Sequence, residues 1–321
     1  ASGDISNLAV KCLVPLVKRV PETRLEEIVD ELCRKLLNSN KEQQRDIGSI
    51  GLKTVVSEIS SNESATCLVK RLSPKLCTYL VQPDASADVK SECLDILSDM
   101  IHRFGPQLAS QQEMLRVNLL PQLDIGRAGL RKRAIACIAG LAAVMPEAVL
   151  AGVCEHVIAK LNADSKSQSA RTYVQMIGAI SKSVGYRFGK CLPSAVPVVL
   201  NYCATAAEND DEMRESAFQA LESFVLRCPR EVTPHVDAIT SLTLEYIKFD
   251  PNFADDDDGA DEDMDDDMDD DEDQDDDSEG EYSDDEDSSW KTRRAAAKCL
   301  SAVISSRPER LGGGYAPPPP P

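Results

Sequence analysis

Apolar and polar residues follow the spacing of one face of an α-helix, and this pattern recurs along the chain. A basic residue stands near the start of each copy, and small or apolar residues follow it three, six, seven and ten positions later. Spacings of 3, 3, 1 and 3 place side chains on one side of a helix. We call these basic residues the anchors; they are Arg45, Lys90, Arg131, Arg171, Arg214 and Arg293.

The anchors recur at nearly constant distance. Successive anchors are 45, 41, 40, 43 and 79 residues apart, so the last step covers two periods. A second amphipathic stretch lies in each period, and a partial first copy covers 7–20; the stretches are 24–37, 63–81, 106–123, 147–161, 191–207 and 231–249. Two helices per period of about forty residues are typical of HEAT and armadillo repeats. The sequence therefore predicts an all-α, HEAT-repeat superhelical solenoid of stacked antiparallel helix pairs.

Composition shifts along the chain predict its organisation. We expect HEAT repeats over residues 1–249, the first one partial, and an acidic insertion within one repeat at 250–288. The inner helix of the last repeat follows at 289–307, and a Gly/Pro-rich tail covers 308–321. The helical pattern starts at Ile5 without an apolar leader, so we expect the chain to start inside a longer protein.

The negative charge of the chain is concentrated in one stretch. The formal net charge is −20, but Asp255–Asp287 holds 24 carboxylates and no Lys or Arg, so the remaining residues carry a net charge of +4. Self-repulsion and the lack of apolar residues predict disorder there. The stretch could be a solubilising loop, an arm that engages a basic partner, or a device that repels acidic competitors.

Two serines beside this charge are candidate phosphorylation sites. Ser278 and Ser283 each have an acidic residue three positions later, the pattern that acidophilic kinases recognise. Phosphate there would deepen the negative charge.

The sequence lacks the residues that catalysis or metal binding requires. The eleven cysteines include no CxxC pair, and the three histidines lie far apart, so we expect reduced, mostly buried thiols and no metal. Nucleotide-binding, hydrolase and metalloprotease motifs are absent, and the acidic stretch lacks the order of an EF-hand loop. No apolar run is long enough to span a bilayer. We therefore expect no enzymatic activity, no cofactor, and no nucleic-acid, membrane or small-molecule partner.

Basic residues near the anchors are the candidate binding residues. The anchors themselves favour a structural role, pairing with an acidic residue of their own or the next repeat, as Asp88 would with Lys90. Residues one or two positions after an anchor, or five in the last helix, point away from the apolar face. Those that we expect to face the groove and bind a partner are Lys132, Arg133, Arg294 and Lys298.

Five segments, in order, carry a resemblance to a known family. They are NLAVKCLVPLVKRV (7–20), RDIGSIGLKTVVSEI (45–59), ALESFVLRCPREV (220–232), LEYIKFDPNF (244–253) and EYSDDEDSSWKTRRAAAKCLSAV (281–303). Together they resemble the amino-terminal HEAT repeats of the cullin-associated, neddylation-dissociated family, with the acidic insertion in the same place. The similarity runs from about Ile5 to Leu311.

The resemblance implies a function that is not enzymatic. Family members wrap around cullin–RING ubiquitin ligases that lack the ubiquitin-like modifier, block its attachment, and exchange substrate-receptor modules. Their amino-terminal arch lies against the cullin and its RING subunit, and a location in cytoplasm and nucleus is implied. The family solenoid is much longer than this chain, so the resemblance supports groove binding by this chain more directly than receptor exchange.

Two other functions stay open at this point. Nuclear transport receptors are also HEAT solenoids, can carry an acidic turn, and bind basic cargo. An acidic histone chaperone would depend on the 255–287 stretch alone. Recovery of a cullin–RING ligase, GTP-dependent release of basic cargo, or loss of binding on deletion of that stretch would distinguish the three.

Overall fold

A computed structural model of the chain describes residues 12–163, 168–207, 209–248 and 289–307. These residues form α-helices joined by short turns and 3₁₀ segments, and the described ranges contain no strand. Helical residues 12–17 are α1. The other α-helices are α2 (Glu22–Asn38), α3 (Glu42–Glu58), α4 (Asn62–Leu80), α5 (Ala87–Phe104), α6 (Gln112–Leu119), α7 (Ala128–Val144), α8 (Glu147–Ala163), α9 (Gln168–Val184), α10 (Leu192–Thr205), α11 (Asp211–Arg227), α12 (Val236–Ile247) and α13 (Ser289–Ser306).

The helices form two layers. Odd-numbered helices from α3 to α13 pack side by side in sequence, and even-numbered helices form the second layer. From α5 to α13, neighbouring odd-numbered helices contact each other more extensively than neighbouring even-numbered helices do. In a curved stack the more closely spaced layer lies on the concave side. The predicted solenoid is therefore confirmed, and its concave face is lined by the anchor-bearing helices.

One hydrophobic core runs through the stack from Val17 to Val303. The positions that follow an anchor by three, six, seven and ten residues supply much of it: in α7, Ala134, Cys137, Ile138 and Leu141 are all buried. Each helix pair alone would leave such a face in water, so the core forms only when repeats stack.

Glycine permits the closest approach between the first two described repeat helices. A Cβ atom on Gly48 of α3 would lie 2.6 Å from the backbone nitrogen of Leu36 and 2.8 Å from the carbonyl oxygen of Leu32, both in α2. Only a residue without a side chain fits this crossing, which explains a glycine in a helix interior despite its low helix propensity.

The predicted amphipathic stretch 106–123 is not one helix. It forms a 3₁₀ segment Gly105–Gln111, then α6, then a second 3₁₀ segment Leu120–Asp124 that contains Pro121. Proline lacks the N–H group that an α-helix uses and its ring clashes with the preceding turn. The Gln122 side chain donates hydrogen bonds to the carbonyl oxygens of Asn118 (3.2 Å) and Leu80 (3.3 Å), so the irregular turn stays bonded within the stack.

Helix α13 completes a repeat although an insertion separates it from α12 in sequence. It packs against both α11 and α12, and the Thr292 hydroxyl donates to the Asp211 carboxylate at the start of α11, 3.1 Å away. Helix α13 ends at Ser306. The predicted insertion 250–288 and tail 308–321 lie outside the described residues.

Candidate protein-binding groove

The concave surfaces of α7, α9, α11 and α13 form one continuous depression, which we call the groove. Three adjoining hollows make it up, and Gln219 of α11 lines all three. Lys291 is shared by the hollow between α7 and α13 and the hollow between α11 and α13. An open, shallow surface of this kind fits an extended segment or a surface of another macromolecule better than a small ligand.

Eight basic residues line the groove, and two of them, the anchors Arg131 and Arg171, are bonded within the fold. Arg294 and Lys298 are four residues apart in α13, so they lie on the same side of that helix, and both line the hollow that Glu215 and Glu222 of α11 also line. The basic residues of the groove that make neither an ion pair nor a side-chain hydrogen bond within the described ranges are Lys132, Lys182, Arg227, Lys291, Arg294 and Lys298.

These cations are available to a partner because no carboxylate within the described part holds them. Elsewhere the same stack pairs its exposed cations across repeats: Arg187 contacts Glu147 at 2.8 Å, and Arg71 and Lys75 both contact Asp30. Unpaired surface cations gain from an acidic partner without first giving up an internal one.

Three of the four predicted binding residues lie on this groove. Lys132 lines the same hollow as Lys291, and Arg294 and Lys298 line the adjoining one. Arg133 does not join them. Its Nε donates to Asp95 Oδ1 of α5 at 2.9 Å, and this bond links α7 to the preceding repeat. Its Nη1 donates to the carbonyl oxygen of Gly129, within α7, at 3.3 Å.

Two of the anchors, Arg131 and Arg171, contact neighbouring parts of their own fold. Arg131 donates to the carbonyl oxygens of Ile125 (2.9 Å) and Gly126 (2.8 Å), which bonds the turn before α7 to the helix. Arg171 donates to Asp210 Oδ1 of the next repeat at 2.8 Å and also pairs with Glu212. These contacts agree with the structural role that the sequence favours for the anchors.

One proposed anchor pairing is wrong. Asp88 contacts Arg127, 3.5 Å away at the start of the next repeat, rather than Lys90. Residues two apart in a helix face different directions, and Asp88 and Lys90 both lie in α5.

Sequence periodicity missed several residues of the groove. Lys182 follows its anchor by eleven residues and so lies on the same side of α9, three turns further along. The expected contact positions, one or two residues after an anchor, do not include it. Lys291 lies before its anchor. Two half-exposed apolar side chains, Leu226 and Trp290, also line the groove, and only the packing of neighbouring helices reveals them.

No group of three His, Cys, Asp or Glu side chains in the described ranges is placed to hold a metal ion. The cysteines are all free thiols, and burial raises the pKa of Cys77 to about 12, which opposes the thiolate form a nucleophile needs. Ser278 and Ser283 lie outside the described residues, and no described helix has the length and apolar content to cross a bilayer.

Comparison with solved structures defines the class of protein. Kap121p superimposes with a TM-score of 0.57 at 10% identity over 88% of this chain and 24% of its own. Kap95p, in a structure with RanGDP, gives 0.54 at 15% identity over 96% of this chain and 35% of its own. These likenesses concern the fold alone. Fold and groove together place the chain in the class of helical-repeat solenoids, whose stacked repeats create an extended concave surface.

Sequence relatives identify the family within that class. The chain is 48% identical over 317 residues to Cullin-associated NEDD8-dissociated protein 1 of Arabidopsis thaliana, and 45% identical over 317 residues to Cullin-associated NEDD8-dissociated protein 2 of Mus musculus. The matches cover 98% and 97% of this chain. The chain thus belongs with the cullin-associated, neddylation-dissociated family, as its sequence segments indicate.

The chain spans 25% of the length of each of these two relatives. No protein-family model matches the sequence.

Proposed function

We propose that this chain is a non-enzymatic scaffold that binds a cullin–RING ubiquitin ligase through the groove. The observation that carries the proposal is the run of unpaired cations along the concave face of a chain that is 48% identical to a protein named for association with cullins. Lys132, Arg294 and Lys298 are the predicted contact residues.

The proposed partner is the ligase in its unmodified state. The chain binds the ligase through its cullin and RING subunits when the cullin lacks its ubiquitin-like modifier. Within a longer protein, this binding contributes to assembly of the ligase and to exchange of its substrate receptors. The site of action is the cytoplasm and the nucleus, which imaging of the tagged protein would test.

The groove supports this proposal through the physics of its charges. Exposed cations such as Arg294 and Lys298 accelerate association with a complementary acidic surface, while each alone contributes about 1 kcal/mol or less. The half-exposed side chains of Trp290 and Leu226 add apolar area to the same groove. A partner with acidic and apolar positions in alternation therefore fits the groove.

A binding titration with a purified cullin–RING complex, with and without the modifier, tests the proposal. The charge-reversed variant Lys132→Glu, Arg294→Glu, Lys298→Glu should associate more slowly and show a weaker salt dependence than the natural chain. A matched variant reverses three exposed lysines that make no ion pair within the described ranges and line none of the three hollows: Lys41, Lys70 and Lys248. It should bind like the natural chain.

Two outcomes would overturn the proposal. Equal binding by both variants and the natural chain would remove the groove from the interaction. Equal binding of modified and unmodified cullin would remove the dependence on the modifier while leaving cullin association in place.

The transport-receptor alternative has less support. The likeness to Kap121p and Kap95p is one of fold, and the unpaired cations of the groove would repel a basic cargo. GTP-dependent release of a basic cargo from the groove would favour that alternative.

A further inference from the structure

Two cysteines face each other across the joint between adjacent repeats. Cys154 lies in α8, and Cys191 ends the 3₁₀ segment Gly185–Cys191 that follows α9. Their thiols are hydrogen-bonded to each other. Cys154 is buried, whereas Cys191 is half-buried. The pair therefore has one thiol in the core and one that a small solute can reach.

Contacts with two helices hold the 3₁₀ segment in place. Arg187 Nε contacts Glu147 Oε1 in the first turn of α8 at 2.8 Å. Glu147 and Cys154 are seven residues apart in α8, so they lie on one side of that helix, two turns from each other. The Phe188 ring stacks on Phe224 of α11, with 5.1 Å between the ring centroids. The fold thus holds the 3₁₀ segment against the side of α8 that carries Cys154.

The hydrogen bond between the thiols makes Cys191 the stronger acid of the two. It lowers the pKa of Cys191, against the opposing effects of burial and of the Glu147 and Glu155 carboxylates. The same bond, together with burial, raises the pKa of Cys154. The thiolate is the form that attacks an oxidant. Cys191 is therefore the nucleophile of the pair, and Cys154 is the thiol placed to react with the oxidised product.

We propose that Cys154 and Cys191 form a reversible thiol–disulfide site whose oxidant is a hydroperoxide. The Cys191 thiolate attacks one peroxide oxygen: an S–O bond forms, the O–O bond breaks, and the leaving oxygen takes up the proton that Cys191 released, which gives water or an alcohol. The Cys154 thiol then attacks the sulfenic sulfur: an S–S bond forms, the S–O bond breaks, and the hydroxyl leaves as water with the Cys154 proton. The two thiols lose two electrons, and the peroxide gains them.

The disulfide joins two neighbouring repeats. It links α8 of one helix pair to the segment between α9 and α10 of the next pair, and the inner helices of these pairs, α7 and α9, both line the groove. The curvature of a solenoid follows from the small rotation between successive repeats. A covalent bond across this joint restricts that rotation, so oxidation stiffens the groove without occupying it. This inference does not depend on the partner that the groove binds.

Peroxide treatment of the reduced full chain, followed by mapping of the thiols, tests the proposal. The chain is treated with hydrogen peroxide near neutral pH, the remaining thiols are alkylated, and peptides are analysed by mass spectrometry without reduction. Cys154 and Cys191 should be lost together in one cross-linked peptide pair, and dithiothreitol should restore both thiols. Cleavage after Glu147 separates Cys154 from Cys137. Fragmentation of the cross-linked peptide distinguishes Cys191 from Cys203.

Cys67 is a matched control within the same molecule. It is half-buried like Cys191, but burial and its hydrogen bond to Glu26, 3.4 Å away, raise its pKa to about 11. Cys191 should therefore be oxidised about tenfold or more faster than Cys67. In the variant Cys154→Ser no cross-linked pair should form, and Cys191 should proceed to sulfinic acid. The variant Cys67→Ser should form the cross-link as the natural chain does.

The proposal fails if Cys154 and Cys191 both stay reduced under conditions that oxidise the exposed Cys12. It fails equally if Cys191 pairs with the neighbouring Cys228 instead, or if Cys191 reaches sulfinic acid in the natural chain while Cys154 stays reduced. A cross-link between two molecules, seen as a dimer on a non-reducing gel, would also contradict it. None of these measurements involves a cullin, so their outcome is separate from that of the proposed function.

Discussion

The hydroxyl of Thr292 in α13 donates a hydrogen bond to the carboxylate of Asp211 in α11, at 3.1 Å, although 81 residues separate the two in sequence. Both side chains are buried. The bond joins the helix that follows the acidic insertion to the helix of the preceding repeat, and so positions Lys291, Arg294 and Lys298 along the groove.

Replacing Thr292 by valine should lower the free energy of unfolding by about 1 kcal/mol, because the substitution keeps the shape and removes the hydrogen bond. Urea unfolding measures the change. Thr205→Val is the control, since the Thr205 hydroxyl bonds only the Asn201 carbonyl within its own helix and is exposed; its effect should stay within about 0.5 kcal/mol. Equal effects would remove the special role of the Thr292 bond.

Deletion of residues 254–288 should leave helical content and melting behaviour nearly unchanged. Helix α13 is held by its packing on α11 and α12 and by the Thr292 bond, and the deleted stretch has almost no apolar side chains to contribute to a core. Circular dichroism before and after deletion provides the measurement. A large loss of cooperative unfolding would mean that the deleted stretch is part of the packed structure.

Glycine-to-alanine substitutions should have opposite effects at two helix-interior positions. At Gly48 the new Cβ meets the α2 backbone at 2.6 Å, so α2 and α3 must separate, at a cost of about 2 kcal/mol. At Gly152 of α8 nothing lies within 4 Å, and alanine should stabilise the helix by up to about 1 kcal/mol. Thermal and urea unfolding of both variants tests the contrast, and changes of the same sign would contradict it.

Acid should weaken the contact between α2 and α4. Hydrogen bonds from Arg71, and then Lys75, lower the pKa of Asp30 from 3.8 to about 2 against an opposing effect of desolvation. A carboxyl group with a lowered pKa stabilises the fold above its unfolded pKa and loses that contribution as pH falls through the folded value. The stability advantage of the natural chain over Asp30→Asn should therefore disappear between about pH 4 and pH 2. A pH-independent difference in urea unfolding would contradict this.

All eleven cysteines should titrate as free thiols once the chain is unfolded without reductant. In the native state Cys12, which is exposed, should react first, and the half-buried Cys67 and Cys191 more slowly. Burial raises the pKa of Cys33 to about 11 and that of Cys77 to about 12, so both should resist thiol reagents near neutral pH. Fewer than eleven titratable thiols, or bound stoichiometric metal, would contradict the expectation.

Periodicity alone was sufficient to predict the class of fold. The spacing of Ala134, Cys137, Ile138 and Leu141 after Arg131 defines a buried helix face, and the forty-residue recurrence of such faces requires stacking. Both inferences are local, because a helix places residues three, four and seven apart on one side wherever it lies. The structural role of the anchors Arg131 and Arg171, too, could be predicted from their constant position in the repeat.

Tertiary structure decided which cations share a surface. Lys132 and Arg133 are neighbours in sequence, yet Lys132 lines the groove with Lys291 while Arg133 bonds Asp95 of the preceding repeat. Successive residues of a helix point about 100° apart, and which direction faces the groove depends on how the neighbouring helices pack. Lys182, Trp290 and Leu226 line the groove for the same reason. The crossings of α9, α11 and α13 bring them together, and no spacing along a single helix specifies those crossings.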